Sequence, residues 1–331
     1  MTKRFQVVGI GNAMVDVLSH CEESFLGESN VEKGIMQLID MDRAVELYSM
    51  VGPSKEISGG SAANTIAGAA HLGGRTAYVG KVKDDQLGAI FAHDLRAQGA
   101  VYETALAPKD SVDETGRCIV LVTPDGERSL NTYLGWSEHL GPDDIDVDMM
   151  ADAEWIFLEG YRFDGPESHA AFAKAIAATK GAGGKVSITL SDAFCIDRHR
   201  DAFAKLLKND VDMLFANRVE LLSMYQADDL DTALAAAAEE VEIVVCTDSE
   251  NGAHIVSGAD RWHVKAVPTT VVDATGAGDL FAGAFLWGFT NGYELETCGK
   301  MACVAASEVI SHIGARPEQN LTELFKKHGL L

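Results

Sequence analysis

Short apolar runs alternate with amphipathic stretches along most of this chain. The runs Val7–Ile10, Ala77–Val79, Trp155–Leu158, Val186–Leu190, Met213–Phe215 and Ile243–Cys246 carry few polar residues, the pattern of strands buried on both faces of a parallel sheet. Between them, Gln86–Gln98, Glu167–Lys180 and Thr232–Glu240 show helical spacing. The second of these has Pro166 at its start and Gly181 past its end. Strand and helix in alternation predict a doubly wound α/β domain with a mostly parallel sheet flanked by helices.

Two stretches break that rhythm. From Asn12 to about Leu38 the chain is mixed and strand-like, without a helical period. From Val101 to Leu134 it reads as consecutive strands, with Cys118–Thr123 and Arg128–Tyr133 joined by the turn Pro124-Asp125-Gly126-Glu127. The pattern predicts a large α/β domain from residues 1–11, 39–100 and 138–331, and a small β-sheet from 12–38 and 101–137. Such a sheet serves either as a lid over a site or as a structural or dimerising face.

Composition narrows the function. With 27 Lys and Arg against 50 Asp and Glu, the formal net charge is −23. A nucleic-acid partner needs a basic surface, so that class is set aside, although local dipoles and a metal ion can still hold an anionic nucleotide. The six cysteines form no CxxC pair and no zinc spacing. The start of the chain has no signal-peptide pattern and no apolar run reaches membrane-span length, so the expectation is a cytoplasmic protein with no membrane partner.

Two motif imitations are discarded. Gly9-Ile10-Gly11-Asn12-Ala13-Met14 lacks the third glycine of a dinucleotide fingerprint, and strand-like residues follow it. His199-Arg200-Asp201 lacks the asparagine of a protein-kinase loop, since Leu206 stands there, and reads as a surface helix start. The chemistry lies instead at Asp273-Ala274-Thr275-Gly276-Ala277-Gly278-Asp279, followed by a run of apolar and small residues to Trp287. A buried helix starting near Gly276 leaves its first N–H groups pointing outward, a site for an anion or for charge developing in a transition state. Asp279 in that first turn can take a proton from an attacking hydroxyl, and phosphoryl transfer needs both functions together. The alternative is a helix shaped and capped by Gly and Asp.

This segment resembles the C-terminal signature of the ribokinase-like (PfkB) carbohydrate and nucleoside kinases, usually D-T-x-G-A-G-D, with Ala274 replacing the first threonine. The resemblance extends through Ser58-Gly59-Gly60-Ser61-Ala62-Ala63-Asn64, the Thr115 to Arg128 hairpin, Asn217-Arg218-Val219-Glu220 and Gly314-Ala315-Arg316-Pro317. It implies that Asp279 is the general base and that the N–H groups of Ala277, Gly278 and Asp279 form an anion hole behind Gly276. It implies further that Asn217 and Glu220 organise hydrated Mg2+ and the phosphates of ATP, with Thr247 and Gly252 in a nucleotide turn where Ser249 replaces the usual glycine. Asn12, Asp16, Gly59, Gly60 and Asn64 fall at the substrate motifs, Arg128 where a lid arginine meets the γ-phosphate. Thr275 falls in the nucleotide-binding segment, and Asp273 with it at the place where some members bind K+. Without the family match, Glu220 reads as an exposed helix-start residue paired with Arg218, and Asp16 as an exposed strand residue.

The resemblance thus implies an ATP-dependent kinase acting on a primary hydroxyl. The first motif, Gly11 to Asp16, and the lid segment Arg128 to Gly135 look most like the adenosine-kinase form, with Met36, Leu38, Leu134 and Trp136 in segments that can face a base or pack the lid. The alternatives are a free-sugar kinase and a non-catalytic binding protein retaining the fold. Either a monomer or a homodimer fits.

Overall fold

The computed structural model describes residues 2–331. In chain order the first half comprises β1 (Phe5–Ile10), β2 (Met14–His20), α1 (Glu23–Glu28), β3 (Met36–Leu38), α2 (Met41–Met50), β4 (Ser54–Gly59), α3 (Ser61–His71), β5 (Thr76–Val79), α4 (Gln86–Ala97), β6 (Val101–Tyr102), β7 (Thr115–Val122) and β8 (Arg128–Gly135). The second half continues with α5 (Val147–Ala151), β9 (Ala153–Glu159), α6 (Ser168–Gly181), β10 (Lys185–Thr189), α7 (Ala193–Asp210), β11 (Met213–Asn217), α8 (Arg218–Tyr225), α9 (Leu230–Glu240), β12 (Ile243–Thr247), β13 (Ala253–Ser257) and β14 (Asp260–Val264). Three helices close the chain: α10 (Ala277–Thr290), α11 (Leu295–Val309) and α12 (Leu321–Lys327).

Nine strands form the large sheet in the order β14-β13-β12-β11-β10-β9-β1-β5-β6. All its pairings are parallel except the antiparallel β12-β13-β14 edge. The six apolar runs read from the sequence are six of its seven interior strands, β1, β5 and β9 to β12, buried because helices cover both faces. One layer packs α6, α7 and α9 around Ile156, Ile188 and Leu214; the other packs α3 and α10 around Val7, Phe157 and Phe215. Each such side chain, fully buried, contributes about 1.5–3 kcal/mol. Among the described residues, no helix is long and apolar enough to cross a membrane.

The second sheet has five strands in the order β3-β8-β7-β2-β4. Its outer face packs Val17, Ile119 and Leu121 against Leu26 of α1 and Leu47 of α2. Its inner face carries Met14, Leu18, Cys118 and Val120, against which Ile313 from the large domain is packed.

The division between the layers differs from the sequence expectation at three places, one of them α2, expected in the large domain but packed on the small sheet through Leu47. Ser54–Gly59, expected in the large domain, is an edge strand paired with β2; its Ser-Lys-Glu-Ile sequence carries no apolar run because this edge is mostly solvated. Val101–Tyr102, expected in the small sheet, pairs with β5 at the edge of the large one. The β13-β14 hairpin and the six-residue α1 were not legible from periodicity, being an edge and a single short turn. His199-Arg200-Asp201 lies inside α7 at a non-helical kink (His199 φ −126°), so it is a helix restart rather than a first start.

Candidate active site

At the C-terminal ends of the large sheet's parallel strands lies a cavity of about 710 Å³, lined among others by Asn217, Glu220, Thr247, Gly252 and Gly276 through Asp279. This edge is where open α/β sheets place ligands. Gly276 is the left-handed N-cap of α10 (φ 77°), and a Cβ there would lie 2.7 Å from the Ala315 side chain. Leu280 N closes back onto Gly276 O at 2.8 Å, and Ala277 N bonds Ala274 O at 3.3 Å. Ala277 was expected among the outward donors; its N–H is instead spent on the turn. Gly278 and Asp279 are the N–H groups without a protein acceptor among the described residues.

Asp279 is gripped from α3. Ser61 Oγ donates to its Oδ1 at 2.7 Å and Asn64 Nδ2 to its Oδ2 at 2.8 Å. The two helices come this close because small residues meet: a Cβ on Gly283 would stand 2.4 Å from Thr65 O. Burial raises the Asp279 carboxyl above its ordinary value, opposed by the Asn64 and Ser61 bonds and the Arg316 charge. A carboxylate held by two donors and made more basic by its surroundings can accept a proton in a fixed direction. Asn64 was expected to orient a substrate hydroxyl; its Nδ2 is committed to Asp279, and its buried Oδ1 is left unpartnered.

Glu220 and Asn217 form a reciprocal capping box at the start of α8. Glu220 N donates to Asn217 Oδ1, while Asn217 N and Nδ2 donate to Glu220 at 3.0 and 2.6 Å. Glu220 is 6% exposed, and Arg218 pairs with Asp248 instead, so the exposed Glu220–Arg218 pair does not occur. Burial pushes Glu220 up to about 7. Ser249, standing where the family usually has glycine, adopts a positive φ (48°) and lines the cavity.

Across the cleft, Asp16 lies on the inner face of the small sheet, next to Cys118 in register. Burial pushes its carboxyl up to about 7, partly offset by the charges of Arg316 and Arg128 and reinforced by Asp279 and Asp273. A Cβ on Gly59 would sit 2.4 Å from the Asp16 carboxyl group, and one on Gly60 (φ 95°) would lie 2.1 Å from Asn12 O. Gly60 therefore requires glycine, and a side chain at Gly59 would displace the Asp16 carboxyl. Asn12 is 2% exposed.

Arg316 is the residue whose role here was not read from the sequence. Its guanidinium donates to Ala63 O (2.7 Å), Ser58 O (3.2 Å) and Ser58 Oγ (3.0 Å), with Asp16 and Asp279 supplying its strongest favourable charges. Desolvation lowers it to about 10. Ser61, Glu159 and Arg162 were likewise missed, and only Ser61 lay within a quoted motif.

Arg128, Asp273 and Thr275 form their own cluster. Arg128 Nη2 and Gly314 N donate to Asp273 Oδ2 at 2.6 and 2.8 Å, and Thr275 N to Oδ1 at 2.8 Å. A guanidinium already neutralises this carboxylate, 2% exposed at its side chain. The arrangement does not fit a K+ ligand set, and no step is derived through one. Among the described residues no three metal-ligating side chains cluster.

A mostly parallel sheet opening onto a helix N-terminus, a carboxylate fixed in that first turn and a second sheet facing it define a phosphotransferase acting on hydroxyl groups. A family model described as pfkB family carbohydrate kinase matches residues 31–321, and the chain belongs to that family. The fold is ribokinase-like. The probable sugar kinase protein from Rhizobium etli CFN 42 is 48% identical, with 99% of this chain and 100% of that one covered at a TM-score of 0.94. The adenosine kinase from Sinorhizobium meliloti is 46% identical over 98% of this chain and 99% of that one, TM-score 0.92. The adenosine kinase of Saccharomyces cerevisiae is 26% identical over 331 residues, 93% and 95% of the two chains. The protein is thus a kinase of sugar or nucleoside hydroxyls.

Proposed function

We propose that this kinase transfers the γ-phosphoryl group of ATP to a primary hydroxyl of a nucleoside, with adenosine the first candidate. The observation that carries the reading is Asp279. It stands where the cavity meets the small-sheet side, fixed by Ser61 and Asn64, beside two free N–H groups of α10.

In this reading Asp279 takes the proton from the acceptor hydroxyl as its oxygen attacks, and the N–H groups of Gly278 and Asp279 receive the charge on the transferred group. Thr247 and Gly252 face the nucleotide along the cavity. Glu220, buried and without a cationic partner, and Asn217 fit the place of a hydrated magnesium ion, which keeps several waters and needs only one or two carboxylates. That ion would neutralise charge on the phosphates. Asp16 accepts hydrogen bonds from two adjacent sugar hydroxyls, whose geometry suits its paired oxygens.

The nucleoside preference rests on what surrounds Asp16. Met14, Leu18, Cys118 and Val120 are buried on the same face, with Ile57, Leu130 and Leu134 packed against them. An apolar floor suits a base, whereas the extra hydroxyls of a free sugar would go unpaired there. Leu38 is half-exposed at the sheet edge and Trp136 Nε1 bonds Ser111 Oγ at 2.9 Å, while Leu134 packs against this apolar face.

The test compares kcat/KM for adenosine, guanosine, ribose and fructose with MgATP. Adenosine is expected to lead. A lead of tenfold or more for ribose or fructose, about 1.4 kcal/mol of transition-state preference, assigns the protein to free sugars. Binding of nucleoside without turnover of any acceptor would make it a binding protein.

A further inference from the structure

The chain crosses between the two layers four times: after β1, after β4, before β7 and after β8. Two charged side chains at the end of β9, each 1% exposed, reach three of those crossings. Glu159 accepts from Asn12 N (3.2 Å) at the first crossing and from Ala62 N (2.8 Å) at the second. Arg162 Nη1 donates to Asn12 Oδ1 (3.0 Å) and to Ser137 O (2.5 Å), and Nη2 to Leu140 O (2.9 Å), joining the first crossing to the last.

A fully buried guanidinium is costly to desolvate, and an apolar side chain of similar volume fills a core equally well. What arginine adds is a rigid planar fork of donors that reaches three acceptors on separate segments. It also settles the orientation of the Asn12 amide. Arginine has no acceptor atom, so the Asn12 atom it meets must be the oxygen, and Nδ2 is left as the free end. Asn12 therefore presents its two amide donors as the unengaged end, and Asp16 follows four residues later on the adjoining strand.

We propose that Arg162, seated beside Glu159, is a positioning residue for the hydroxyl acceptor: it locks Asn12 as a hydrogen-bond donor and holds the small sheet in register with the large domain. This rests on the functional reading above, extended to Asn12, which the family resemblance puts at a substrate motif with Asp16. It assigns Arg162 no contact with ATP.

The test is a double-mutant cycle on the full chain, with MgATP and whichever acceptor has the highest kcat/KM in the panel. Arg162→Met is expected to raise the acceptor KM about tenfold or more while the ATP KM stays within about twofold. In an Asn12→Ala background the same change is expected to cost clearly less than it does alone, because the shared Asn12 contact is already gone and only the bonds to Ser137 and Leu140 remain to be lost. Arg162→Lys keeps the charge beside Glu159 but offers a single nitrogen. It stands in if the methionine variant does not fold, with the same selective loss at smaller size. Losses that multiply in the double variant, an acceptor KM that does not move, or an ATP KM that rises in parallel overturns the proposal. An Asn12→Ala enzyme with an ordinary acceptor KM removes Asn12 from the acceptor site, overturning that part of the functional reading and this proposal together.

Discussion

On the large-domain side of the cleft, apart from the Asp279 carboxylate held from α3, the groups facing the cavity are positioned by near neighbours in the chain. Asn217 and Glu220 share one capping box, and Gly276 through Asp279 occupy one helical turn. On the small-sheet side almost nothing is local. Asp16 depends on Gly59 from a neighbouring strand and on Arg316 from the far end of the chain, and Asn12 on Arg162, 150 residues away. Local sites persist whatever the rest of the fold does; a site assembled from distant segments follows the relative position of two layers. Chemistry should therefore fail when the first side is altered, and acceptor affinity when the second is.

The largest effect is expected at Asp279, which lies at the junction. Asp279→Ala should lower kcat by about 10²–10³-fold, the contribution of a positioned base. The acceptor KM should change far less. Steady-state kinetics on a variant shown to be folded by circular dichroism checks this, and near-normal turnover would remove Asp279 from the chemistry.

Asp16 tests the other side. Asp16→Asn should lower kcat/KM for the acceptor by about 30–100-fold, mainly through KM, since charge-assisted bonds to two hydroxyls are lost. The pH profile carries the sign. The Asp16 carboxyl is pushed up to about 7 by burial, so the ionised form that accepts both hydroxyls fills as pH rises through that value. Wild-type kcat/KM should climb from pH 6 to 8 and then level off. Glu220 is also pushed up to about 7 and the Asp279 base is raised by burial, so the discriminating comparison is with Asp16→Asn, which should keep only the Glu220 and Asp279 components. An identical profile in both enzymes would detach Asp16 from the acceptor.

The same contrast explains what could be read from the sequence. The six core strands were legible because burial on both faces writes an uninterrupted apolar run. The α10 segment was legible because its small residues, turn and carboxylate are contiguous. Ser54–Gly59 was misplaced because an edge strand with one solvated side carries no such signature. Arg316 was visible as part of a motif, but its position between Asp16 and Asp279 follows only from the return of the chain after α11. Arg162 left no signal at all, since a lone arginine after a strand ordinarily reads as a surface residue, and only the fold shows it buried.

Glu220→Gln should raise the magnesium concentration for half-maximal activity several-fold, about 3–10-fold, because one carboxylate ordering the metal's waters is lost. The fold should survive, since glutamine completes the same capping box. An unchanged magnesium dependence would leave Glu220 with the capping role alone.

The smallest effect is expected from monovalent cations. Replacing K+ by tetramethylammonium should change turnover by less than about twofold, because the buried Asp273 carboxylate already has a cation of its own in Arg128. Its oxygens also take the N–H groups of Thr275 and Gly314, which fixes the loop carrying Arg316. Arg128 comes from the small sheet and Asp273 from the large domain, so this pair is also a contact between the two sides of the cleft. Arg128→Met would leave a buried carboxylate without a counter-charge, at an expected stability loss of about 3–5 kcal/mol. If Arg128 stands in for an external cation, K+ should then restore part of the thermal stability and activity of that variant while leaving the wild type unchanged. A wild-type enzyme that needs K+ for most of its turnover would mean that Arg128 leaves Asp273 during the reaction, and the contact between the layers would be a moving one.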